Sequence, residues 1–156
     1  MSLTDTPVIA LARPALISLA RQKAERYGLD GDLLCAQVEQ ESGWNTHAIR
    51  FEQGFLEKYM TPTIRANITR TECYARCFSW GLMQIMGETA REFGFSGLFL
   101  SELTDPQLGL EFGCKKMSAC MGKAGNDKDA ALLHYNGGKN PLYVQEVKAR
   151  LSIYNA

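Results

Sequence analysis

Apolar side chains recur along this chain at helical spacing, and proline, glycine and capping residues mark the breaks between them. Pro14 opens the first segment, Leu16, Leu19, Ala20, Ala24 and Tyr27 recur along it, and Gly28 stops it. Asp30 is the expected N-cap of a second helix running to about Glu41. Residues 52–60 and 70–77 each predict a short helix, joined through Thr61-Pro62-Thr63. Gly87, Gly94 and Gly97 break up the region around a Gly-Leu-Met-Gln segment. Asp105-Pro106 opens the clearest helix, with Leu110, Cys114, Met117 and Met121 along one side at spacings of four, three and four. Asn126-Asp127 caps a helix ending near Tyr135, and Asn140-Pro141 caps the last, through Tyr154. No strand-like alternation is sustained, and there is no repeat, linker or low-complexity tract. The fold class that follows is all-α: one domain over residues 1–156, built of short helices with a cleft between layers.

A chain of 156 residues is long enough for one domain with a real core and too short for two ordinary ones. Hydrophobic residues at 46% and charged residues at 22% exclude long disorder. Lys+Arg and Asp+Glu are both 17, so the basic excess of a nucleic-acid binder is missing, although a local patch for an anionic polymer fits that balance. No apolar run is long enough to span a bilayer, so no stable membrane insertion is expected. Met1 to Thr6 carries no Lys or Arg, and Val8 to Ala20 is interrupted by Arg13 and Pro14, unlike a secretory signal. Synthesis in the cytoplasm is expected, followed by retention or by export along another route. A monomer is expected.

Five cysteines, Cys35, Cys73, Cys77, Cys114 and Cys120, leave at least one unpaired. Cys73 and Cys77 have the spacing of half a metal site, but His47 and His134 stand far away in sequence and complete nothing. Reduced structural thiols are the expected state, with a disulfide or a metal as alternatives. No cofactor is expected.

Candidate chemistry begins at Glu41, which follows Val38 by three residues and Leu34 by seven. At 3.6 residues per turn these share a face, so the carboxyl emerges at the end of an apolar stripe, where Ser42-Gly43 ends the helix. Apolar surroundings disfavour the charged form, raise the pKa and let the group act as a general acid. Periodicity alone fits a solvated helix-end glutamate beside Glu39 equally well.

Four motifs decide between these readings. Glu41-Ser42-Gly43-Trp44-Asn45, Gly81-Leu82-Met83-Gln84 with Thr89-Ala90, Leu103-Thr104-Asp105-Pro106 with Gly113, and Tyr135-Asn136-Gly137-Gly138 occur in this order. Together they resemble the catalytic domain of the soluble lytic transglycosylases, over about residues 29–150. The resemblance implies a lysozyme-like α fold acting on peptidoglycan glycan strands, with Glu41 as the catalytic acid. Tyr135 is expected to orient the Glu41 carboxyl and to offer a flat face to a sugar ring. Gln84 and Asn136 suit hydroxyl and acetamido groups, Met83 an adaptable apolar floor, and Ser79 the wall beside them.

The chain also departs from that pattern. From Glu41 to Gly81 the gap is 81 − 41 = 40 residues, so against a usual gap of about fifteen, roughly 25 are inserted, within about 51–78. Phage-encoded members of the family look similar in this stretch. Ser79 and Trp80 replace small residues, and His134 replaces an alanine, reading as a helix-face or cleft-rim histidine. A lytic transglycosylase needs one carboxyl group and yields a 1,6-anhydro sugar. A hydrolytic muramidase needs a second carboxylate, and Glu52 in the insertion is the leading candidate. A non-catalytic glycan-binding module is the third reading. Delivery to the cell wall after release, or with a virion, fits the resemblance.

Overall fold

The structure, a computed structural model, describes residues 11–155. The leader reading at Met1 to Thr6 therefore lies outside the described residues. Among those residues the order is α1 (Arg13–Arg26), α2 (Gly31–Ser42), β1 (Ile49–Phe51), α3 (Gln53–Tyr59), α4 (Pro62–Ala66), α5 (Arg70–Arg76), β2 (Phe78–Trp80) and β3 (Ile85–Met86), followed by α6 (Gly87–Glu92), a 3-10 turn (Leu100–Thr104), α7 (Pro106–Lys123), α8 (Lys128–Asn136) and α9 (Tyr143–Leu151).

Local chemistry sets most of these boundaries. The Asp30 carboxylate accepts from the backbone N–H of Asp32 and Leu33, and Asp105 does the same for Gln107 and Leu108. Asp127 accepts from Ala130 N–H. Such caps are each worth about 1 kcal/mol. The last helix is a correction. It runs Tyr143–Leu151 with no side-chain cap, because Asn140 closes a tight turn onto Leu142 N–H instead of starting the helix.

Helix α2 is the centre of the main core. Leu33 to Val38 are all buried, so this stretch is covered on every side, chiefly by α1 and α9, with side chains of α7 in the same cluster. Leu110, Cys114 and Met117 of α7 join that core, with Met121 at its edge. A second cluster gathers Trp80, Ile85, Leu100, Leu103 and Phe112 under the 3-10 turn.

Three short strands qualify the all-helical expectation within a mainly helical fold. β1, β2 and β3 pair antiparallel in that order, with Arg50 opposite Ser79 and Ser79 opposite Met86. At two or three residues each, they are too short for a period-two signal. The insertion is an excursion of α3, α4 and α5 between paired strands β1 and β2, with its own small core of Met60, Cys73 and Cys77. All five cysteines are free and buried, and the Cys77 thiol faces the Cys73 carbonyl at 3.3 Å. Among the described residues, no three His, Cys, Asp or Glu side chains gather as a metal site, and no helix is long and apolar enough to cross a membrane.

Candidate active site

Glu41 stands in the last turn of α2, above the buried Leu34 and Val38. Gly43, at φ 57°, ends the helix in the left-handed conformation. The Ser42 hydroxyl donates to the Leu82 carbonyl at 2.8 Å, tying the helix end to the turn at residues 81–84. That turn needs two glycines. Gly81 has φ +66° with the Leu103 carbonyl where a Cβ would lie, and Gly113 leaves the room on α7 that Met83 fills.

The group that holds Glu41 is Tyr143, at the start of α9. Its phenol donates to Glu41 Oε1 at 2.5 Å, and its oxygen accepts from the buried Gln37 Nε2 at 3.2 Å. Burial pushes the Glu41 carboxyl above its ordinary pKa; the Tyr143 bond and the charges of Lys116 and Arg50 oppose the shift without cancelling it. Burial also drives the Tyr143 and Tyr135 phenols far up, so both remain donors. Glu39 faces elsewhere, paired with Arg13 and accepting from Tyr154 Oη at 2.6 Å.

Beside Glu41 is a cleft of about 70 Å³ lined also by Glu52, Ser79, Gln84, Tyr135 and Asn136. All the site residues read from the sequence meet there except Met83, which is fully buried in the main core and supports the wall from behind. Arg50, Met86, Lys116 and Lys139 complete the lining. A larger cleft of about 760 Å³, around Trp44, His47 and Asp105, holds none of the predicted site residues.

The hydrogen bonds show how each of these side chains is held. The Tyr135 phenol donates to the Met83 carbonyl at 2.8 Å, so it does not orient Glu41. Its ring is 4% exposed with Lys116 Nζ 3.9 Å from the centroid, so the face expected for a sugar is already covered. Gln84, at φ +45°, accepts from the Ser79 hydroxyl at 2.9 Å and donates to the Ala48 and Gly81 carbonyls at 3.0 and 2.9 Å. Its amide therefore organises the turn and has little left for a ligand. Ser79, 2% exposed, is committed to the same network. Asn136 Nδ2 donates to the Asn140 carbonyl at 3.3 Å, a longer and weaker bond. Glu52 pairs with Arg50 at 2.6 Å and Lys139 at 3.5 Å. His134 is exposed at the rim of an adjoining chamber.

Sequence reasoning missed Tyr143 and Lys116. Tyr143 shares the apolar face of α9 with Val147 and reads as core, so nothing local marks it. Lys116 carried a signal: it falls three after Gly113 and four before Cys120, a charge at apolar-face spacing.

A mainly helical fold, with a small sheet and a partly buried carboxyl at the end of its central helix, is consistent with the lysozyme-like class. The family model described as "Transglycosylase SLT domain" matches residues 18–151, and the chain belongs to that family. Membership makes it a peptidoglycan-cleaving lytic transglycosylase domain. No solved structure gives a significant match.

Proposed function

We propose that the chain cleaves the β-1,4 bond between N-acetylmuramic acid and N-acetylglucosamine with Glu41 as both acid and base, leaving a 1,6-anhydro end. One observation carries the reading: Glu41 is raised in pKa by burial beside a polar-lined cleft, while Tyr143 holds its Oε1. The other oxygen, Oε2, is then the one that carries the proton. It protonates the glycosidic oxygen as the C1–O bond breaks, and the substrate's acetamido group stabilises the electron-poor C1. The resulting carboxylate takes the proton of the C6 hydroxyl as O6 bonds to C1, which restores the acid. Ser79, Gln84, Tyr135, Asn136 and Met83 serve this reaction chiefly as the rigid wall that fixes the cleft.

Hydrolysis with Glu52 as the second carboxylate is the competing reading. Glu52 lines the same cleft, but it is paired with Arg50 at Oε1 and stands 3.5 Å from Lys139 at Oε2, the arrangement of a structural ion pair bridging two parts of the chain. Mass spectrometry of the muropeptides separates the two, because anhydro and reducing ends differ by one water. Anhydro ends are expected, with Glu41→Gln losing about a hundredfold or more of turnover. A digest dominated by reducing ends overturns the transglycosylase product, and a fully active Glu41→Gln overturns the acid.

A further inference from the structure

The cleft at Glu41 does not end there. It continues into a chamber of about 400 Å³ that shares Glu52, Met86, Lys116, Tyr135, Asn136 and Lys139 with it. Beyond that shared wall, Phe55, Lys58 and Tyr59 of α3 close one side, and His134 and Gly137 at the end of α8 close the other. One wall is therefore built by the insertion, the part of the chain with no counterpart in the family motif spacing.

Its charge is one-sided. Lys58, Lys116 and Lys139 face a single carboxylate, Glu52, which Arg50 already engages. Among the described residues Lys58 forms no ion pair; its Nζ stands 5.2 Å from the Tyr59 ring centroid. Phe55 and Tyr59 pack against each other at 4.6 Å between centroids with their rings tilted by 33°, giving that wall an apolar surface beside the ammonium groups. In a chain with 17 basic and 17 acidic residues, this local excess is not a by-product of overall charge.

The sugars of a glycan strand are themselves uncharged, and a strand without stems offers such a chamber only the single lactyl carboxylate of each muramic sugar. In stem-bearing strands the lactyl carboxyl is an amide and the charge lies on the several carboxylates of the peptide stems, which hang from the lactyl group of the sugar whose bond is cut. A stem must therefore leave the strand close to Glu41. We propose that the chamber is a subsite for the anionic peptide stem, with Lys58 and Lys139 as its carboxylate-binding groups. The insertion thereby gives the enzyme a preference for stem-bearing over bare strands. The inference rests on the peptidoglycan-cleaving reading of the Glu41 cleft but not on which product forms.

Calorimetry with the Glu41→Gln protein measures binding without turnover. The ligands are soluble stem-bearing glycan chains, the same chains stripped by an amidase so that only the lactyl carboxylate remains, and chains whose stem carboxylates are converted to amides. Stem-bearing chains should bind about tenfold tighter than either of the others, equal to about 1.4 kcal/mol. That advantage should shrink between about 50 and about 300 mM salt, as screening requires. Lys58→Glu with Lys139→Glu, both at exposed positions, should abolish the advantage, and Lys58→Arg with Lys139→Arg should keep it. Equal binding of the three ligands, tightest binding of the stripped chains, or an advantage that survives charge reversal would each overturn the proposal. Reducing ends in the wild-type digest would change the product assignment and leave this result standing.

Discussion

Two tyrosines sit beside the Glu41 carboxyl and do different work. Tyr143 donates to Glu41 Oε1, whereas Tyr135 donates to a backbone carbonyl. The Tyr143 bond favours the ionised carboxyl, so removing it pushes the Glu41 pKa further up. Tyr143→Phe should therefore move the descending limb of the kcat/KM pH profile to higher pH, because the acid form persists further. Its kcat at the optimum should fall about tenfold or more, the size of a lost hydrogen bond to a charged group. Gln37 Nε2 would also lose its partner in a side chain whose Oε1 already has none, adding about 1–3 kcal/mol of instability. Tyr135→Phe should lower stability by a similar amount and leave the pH limb where it is. If the two variants have the same pH profile, Tyr143 does not govern the acid.

The insertion acts as an element with one end anchored by the sheet and the other by its own core. Glu52 N–H donates to the Cys77 carbonyl at 2.9 Å, which extends the β1–β2 ladder to the foot of α3. Its side chain meanwhile bridges Arg50 and Lys139, from two different parts of the chain. Glu52→Gln should thus loosen the chamber wall and weaken activity modestly, by about a factor of ten or less, as expected of a partly exposed ion pair. The muropeptides should keep their anhydro ends. A Glu52→Gln enzyme as inactive as Glu41→Gln, measured by turbidity loss of purified walls, would make Glu52 a reacting group.

Over the whole molecule, two apolar clusters hold the five cysteines away from solvent, Cys35, Cys114 and Cys120 in the main core and Cys73 and Cys77 in that of the insertion. Burial raises the Cys35 and Cys77 thiols to about 11 and Cys114 to about 12, so none of these three is a ready thiolate at neutral pH. An aromatic disulfide reagent should titrate the five thiols only after denaturation, and activity should survive both a strong chelator and a reducing agent. Rapid labelling of the native protein, or stoichiometric zinc lost in Cys73→Ser, would contradict this account.

Features encoded within a few residues were legible before any folding was considered. Asp30, Asp105 and Asp127 announced their helices because a cap needs only the next two or three N–H groups. Glu41 was legible because its apolar stripe and its terminating Gly43 lie on the same helix, and the four motifs in order named the family. The partners of Glu41 were not legible. Tyr143 lies 102 residues away and meets it only because α9 packs on α2, while Lys116 arrives from α7. The same reason hid how Tyr135, Gln84 and Met83 are held: motif membership marked them, but whether a side chain faces the cleft, turns to a carbonyl or packs behind the wall depends on neighbours distant in sequence. The strands escaped notice because pairing across the insertion, and not any local alternation, makes them strands. Helix ends and the acid are local properties of the chain. The hold on that acid, and the charged chamber beside it, exist only once the helices pack.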